Sequence, residues 1–178
     1  MPVLSYKNNF LQKEEALKNF VVYIGLLFST TLFALEQPTE RIVLTVSGLI
    51  TNTNRGDSAI FDRKMLAQIP QKTVVTHTPW SEGKHTYSGF NPKDFFALLG
   101  IKGDKLSLTA LNDYTIEIPM NDFLKEGAIF ATHMDGIPMT IRNKGPIMVI
   151  YPFDDNPKLK VETYFGRSIW QVTEMTIR

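Results

Sequence analysis

Asn91-Pro92 opens, and Gly100 closes, the one helix that this chain signals fully. Asparagine can accept from the first free backbone N–H, proline is pre-set for the first helical position, and glycine takes the left-handed closing conformation. Phe95, Phe96, Leu98 and Leu99 supply the apolar face. Everything around this helix is cut into short runs by Gly, Pro, Asn and Asp. No strand–helix alternation of the dinucleotide-binding kind occurs. A chain cut this way is expected to be α+β, with mixed, mainly antiparallel β-sheets and two or three short helices.

The runs can be placed one by one. RIVLTV (41–46) alternates and ends at Ser47-Gly48, so it reads as the first strand. TNTNRGDS (51–58) is a polar loop, and its Arg-Gly-Asp triplet follows from that composition. Phe61, Met65 and Ile69 recur every four residues behind Asp62, which predicts a short helix over 62–68 stopped by Pro70. A strand over 73–76 leads into a Pro-interrupted turn, a Gly turn and a second short strand. Asn112-Asp113 and Asp135-Gly136 predict tight hairpins, the second joining 128–133 to 138–142. One helical turn fits 121–125. IMVIY (147–151) reads as a buried central strand, Asp154 to Pro157 as a turn, and SIWQVTEMTI (168–177) as the last strand.

The first 34 residues differ from the rest. Lys7, Lys13 and Lys18 precede FVVYIGLLFSTTLF (20–33), which carries no charge and is short for a bilayer-spanning helix. With Ala34 before a polar Glu-Gln-Pro, the pattern predicts a secretory signal peptide over 1–34 and a periplasmic or secreted single domain over 35–178. An uncleaved anchor and a buried helix are the alternatives. Without 1–34 the acidic and basic residues are equal in number, so charge gives no reason to expect nucleic acid as a partner.

Cys 0 is the most restrictive count. No disulfide, no thiolate nucleophile and no thiolate metal ligand is available to this chain. The nucleotide-binding glycine motifs, the nucleophile elbow and the zinc-protease helix are also missing. His77, His85 and His133 match no standard metal-ligand spacing, Ser81, Ser88 and Ser168 lack a catalytic context, and Asp154 and Asp155 read as turn acids. Phe95 and Phe96 are expected in the core. Trp80 and Tyr87, beside polar loop residues, are expected on a half-exposed surface.

Four segments in series carry a resemblance: VVTHTPWSEGKHTYSGFNPKDFFALLGI, TALNDYTIEIPMND, ATHMDGIPMTIRNKGPIMVIYPFD and RSIWQVTEMTI. From about Leu44 to its end the chain resembles the oxidoreductase molybdopterin-binding domain, the fold of the sulfite oxidase family, in its small stand-alone bacterial version. The resemblance implies a pterin-bound molybdenum held by one cysteine thiolate, whose place falls near His77-Thr78. It also brings His77, Thr78, Trp80, Tyr87, Tyr114, Arg142 and Arg167 near the ancestral pocket. Aromatics, hydroxyls and arginines suit a small polar or anionic ligand.

The expected function is therefore binding without catalysis, with no metal ligand assigned and no cofactor expected. The partner would be a small molecule, or a membrane signalling or redox protein. Membrane contact would run only through an uncleaved N-terminal segment. Molybdopterin held in an atypical, cysteine-free site is the alternative.

Overall fold

The structure, a computed structural model, describes residues 35–178. The predicted signal peptide over 1–34 lies outside them. Among the described residues, no helix is long and apolar enough to cross a membrane.

In chain order the elements begin with β1 (Ile42–Gly48), β2 (Ala59–Asp62), α1 (Arg63–Gln68), β3 (Gln71–Thr78), β4 (Ser81–Phe90) and α2 (Pro92–Leu99). There follow β5 (Lys105–Ala110), β6 (Thr115–Pro119), α3 (Met120–Leu124), β7 (Ile129–Met134), β8 (Ile137–Pro138), β9 (Met148–Ile150), α4 (Glu162–Arg167) and β10 (Val172–Ile177). One sheet runs β2-β1-β10-β5-β6 and the other β3-β4-β7-β8, with β9 paired to β7. Every ladder is antiparallel except β1 with β10. The mixed α+β class expected from the sequence is the class found.

Local chemistry explains the elements that were legible. Asn91 accepts from the Lys93 N–H at 3.2 Å, and Gly100 takes φ 60°, so α2 begins and ends where its caps stand. Asp113 and Asp135 adopt the left-handed conformation their hairpins require, at φ 64° and 52°. Asp62 caps α1 through Met65 N–H at 2.8 Å and also accepts from Thr39 and Glu40. Burial pushes its carboxyl up, but four backbone N–H groups outweigh that and hold it below the usual range.

Four expectations need correction. Phe61 belongs to β2, a fully buried strand without the alternation that would have announced it. The break expected after residue 76 is a long hairpin: Pro79-Trp80 makes the turn, and a register shift between His77 and Thr78 accommodates Gly83 at φ 79°. Of the strand predicted over 138–142 only Pro138 is formed, as the end of β8 (Ile137–Pro138). Beyond it Thr140 and Asn143 exchange side-chain bonds that wind Ile141–Asn143 into a 3-10 turn. The last strand begins at Val172, because Ile169 accepts from Val149 N–H and so covers the free edge of β9. The helix α4 is additional to those expected.

Phenylalanines hold the centre of the larger core. Phe130 stacks on Phe123 at 4.5 Å and on Phe90 at 5.1 Å, and meets Phe95 and Phe96 edge-on. Glycine is needed where β4 crosses this stack: a Cβ on Gly89 would lie 1.9 Å from the Phe130 carbonyl oxygen. A second, smaller core gathers Val74, Tyr87, Ile129, Met139, Met148 and Ile150.

Candidate functional site: an aromatic cavity beside the hairpin tip

The turn at Pro79-Trp80 presents the residues that stand where a thiolate was expected. Thr78, only 7% exposed, is hydrogen-bonded to Ser81, and Ser81 Oγ lies 3.3 Å from the Tyr87 hydroxyl. This chain of hydroxyls runs inward: Tyr87 is 1% exposed and belongs to the smaller core, not to the half-exposed surface expected for it. It satisfies the phenol and fixes the turn.

His77 points elsewhere. Its Nδ1 donates to Asp154 Oδ2 at 2.8 Å, its backbone N–H reaches the same oxygen at 3.1 Å, and Lys160 meets Oδ1 at 3.0 Å. Lys84 stands 3.7 Å away. The His77 bond first, and Lys160 after it, hold the Asp154 carboxyl well below the usual carboxylate range. The Asp154 backbone N–H donates to Thr76 Oγ1. The cluster fastens the turn around Asp154 to the hairpin.

Trp80 is the hairpin residue that packs against the walls of a surface cavity. Its ring packs edge-on against Phe153 and Phe165, each with centroids 6.4 Å away, and at 6.2 Å from Trp170. Phe165 and Trp170 line a cavity of about 320 Å³ with Asn112, Tyr114, Gly166 and Ser168. Aromatic walls with a few polar groups are the usual make-up of a small-molecule site. The β5–β6 turn brings Asn112 and Tyr114, while α4 and the segment after it bring the rest. Among the described residues, Trp80 Nε1 is the buried side-chain polar atom without a hydrogen-bond partner. A buried N–H left unpaired costs about 1–3 kcal/mol, so an acceptor is wanted there.

The two arginines of the expected pocket do not line this cavity. Arg167 donates to Asp122 Oδ2 at 3.0 Å, and the same oxygen accepts from the Tyr151 hydroxyl at 2.7 Å. The guanidinium also lies over the Tyr164 ring, 5.7 Å from its centroid. Burial, and then the Asp122 bond, push the Tyr151 phenol far above its ordinary value. Arg142 sits exposed in the 3-10 turn. Of the seven residues named from sequence, Tyr114 lines the cavity and Trp80 packs behind two of its walls. Thr78 and Tyr87 share the hydroxyl chain, and His77, Arg142 and Arg167 lie in separate settings.

The sequence reading left out Phe165 and Trp170. Trp170 was visible in SIWQV as an aromatic beside polar residues, whereas nothing local singles out Phe165.

His85 carries a different chemistry. Its Nδ1 lies 2.6 Å from Asp135 Oδ2 and its Nε2 lies 2.7 Å from the Glu82 carbonyl. Both partners only accept, so the arrangement favours the imidazolium, in which both ring nitrogens donate. The Asp135 bond is the main cause that raises the His85 pKa, against partial burial that lowers it. A raised folded value means that this stabilisation is full below about 6.5, the ordinary histidine pKa. It is lost as pH climbs through the folded value. An NMR titration should find His85 above the ordinary value and Asp135→Asn should bring it back down; an unshifted His85 would contradict the imidazolium.

A thiolate-held molybdopterin does not fit these residues. Position 78 offers a hydroxyl already bonded to Ser81, and the chain has no cysteine to replace it. Hard oxygen donors do not substitute for a thiolate. Nor do Arg167, Lys160 and Lys84 stand free for a pterin phosphate, since each faces a carboxylate.

No family model matches the sequence, and no curated protein matches it either. Among solved structures, the sulfane dehydrogenase SoxCD of Paracoccus pantotrophus is similar, with a TM-score of 0.57 over 81% of this chain at 16% identity. The match covers 40% of that chain, so this protein spans less than half its length. At that identity, what the two share is the fold.

Proposed function

We propose that this domain binds a small, planar, polar molecule in the cavity lined by Tyr114, Phe165 and Trp170, and does not turn it over. The observation that carries the reading is the aromatic wall of the cavity, Tyr114, Phe165 and Trp170, backed by the Trp80 ring. Aromatic rings supply stacking surfaces, and the Asn112 side chain supplies both a donor and an acceptor. Among the described residues no arginine or lysine lines the cavity, which favours a neutral polar ligand over an anionic one.

The absence of a cysteine supports binding over molybdenum chemistry. Export to the periplasm or medium rests on the sequence of residues 1–34. A second reading, a protein partner, is favoured by Leu111, Tyr114, Ile141 and Trp170, which are 43–53% exposed. Backbone bonding connects three of them: Leu111 N–H donates to Gln171, whose side chain reaches the Ile141 carbonyl, and Trp170 precedes it. A membrane signalling or redox protein would be the kind of partner that an exported domain meets.

Trp170 lines the cavity and Trp80, the other tryptophan of the chain, packs against it, so tryptophan emission reports on this region. Titration with neutral heteroaromatic amides, nicotinamide among them, should give a saturable change in emission. Tyr114→Ala, at an exposed position, should weaken that binding about fivefold, the worth of one aromatic contact of about 1 kcal/mol. A merely linear quench across the series, unchanged in Tyr114→Ala, would count against the cavity.

A further inference from the structure

A second cavity, of about 290 Å³, opens between α1 and β7–β8 and shares no residue with the first. Val43, Leu66, Ala67, Pro138, Pro146 and Ile147 give it a largely apolar lining. Arg63, Lys64 and His133 also line it, with Glu40 the one acid to do so among the described residues.

These cations are not consumed by the fold. Arg63 gives one terminal nitrogen to the Met139 carbonyl at 2.6 Å, which anchors the guanidinium while leaving its other donors open. Neither Arg63 nor Lys64 makes an ion pair among the described residues. The nearest acid in sequence, Asp62, is buried and turned onto the backbone N–H groups of Thr39, Glu40 and Met65. His133 Nδ1 is bonded to Thr132 Oγ1 at 2.9 Å, which leaves Nε2 as the ring nitrogen without a protein partner among the described residues. An apolar lining beside an anchored guanidinium and a second cation suits an apolar body ending in a carboxylate.

We propose that the cavity between α1 and β7–β8 is a binding site for a small monocarboxylate, its apolar body on Leu66, Pro138 and Ile147 and its carboxylate on Arg63 and Lys64. Glu40 opposes the charge and limits the affinity. The site is independent of the Trp80–Trp170 cavity, so either can fail without the other.

The test uses the full chain, labelled with ¹⁵N and titrated with phenylacetate and with phenylacetamide, which share a body and differ in charge. Phenylacetate should give saturable shifts of the Ala67, Thr132, His133 and Ile147 amides. Phenylacetamide should bind about tenfold more weakly, the difference expected when charge-assisted hydrogen bonds are lost. Lys64→Gln, at an exposed position that keeps the fold, should weaken phenylacetate about threefold, as loss of a rim charge does. Glu40→Gln should strengthen it. Equal affinity for acid and amide, unmoved Thr132 and His133 amides, or shifts confined to Asn112, Tyr114 and Ser168 would each overturn the proposal.

Discussion

Replacing Asp122 with alanine is expected to lower the unfolding free energy by about 3 kcal/mol, the low end of the cost of breaking a buried charged pair from one side, because Arg167 is partly exposed. Asp122 is 4% exposed and its Oδ2 accepts from both Arg167 and the Tyr151 hydroxyl. Three elements meet at that oxygen: α3, the end of the β9 segment and the last residue of α4. Alanine leaves a guanidinium and a buried phenol without their acceptor at once. Asp122→Asn keeps an acceptor and should cost less. Urea denaturation measures both; a loss below about 1 kcal/mol for alanine, typical of an exposed pair, would show that the triad is incidental. Because the folded phenol titrates above its ordinary value, its share of the stability is complete below about pH 10. It disappears only as pH rises through the folded value. Neutral and mildly alkaline solutions should therefore leave the triad intact.

Phe130→Ala is expected to cost about 4 kcal/mol, for a different reason. Phe130 is fully buried and touches four other phenylalanines from β4, α2 and α3. Truncation leaves a void that those rings cannot fill, because Gly89 already lets β4 approach the Phe130 backbone as closely as it can. Phe130→Leu restores much of the volume and should recover more than half of the loss. If the leucine variant were as unstable as the alanine variant, ring geometry rather than filled volume would be what the core requires.

These two residues also show where sequence reading stops. Asn91, Gly100, Asn112 and Asp135 announce their elements because a cap or a turn is made by neighbours within a few residues. Arg167 was assigned to a ligand because it stands in a segment that resembles a pocket wall. Its partner is 45 residues away, and no local pattern announces that meeting. Phe61 was absorbed into a helical repeat because β2 is buried on both faces and has no period-two signature. The candidate cavity was half legible for the same reason. Trp80 and Tyr114 lie in segments that the resemblance singled out, while Phe165 arrives on α4, a helix that no sequence cap marks.

Gly166 and Ser168, which stand on either side of Arg167, do line the cavity. One short segment thus serves both the buried triad and the aromatic wall, so a variant at Arg167 should disturb binding by moving the wall rather than by removing a charge from the ligand.

The central claim is that this chain uses its fold for binding a small molecule and not for molybdenum redox chemistry. Molybdenum and pterin analysis of the full chain purified from its native host tests that claim directly. The account predicts no stoichiometric molybdenum and no pterin released on denaturation. One molybdenum and one pterin per chain would contradict it.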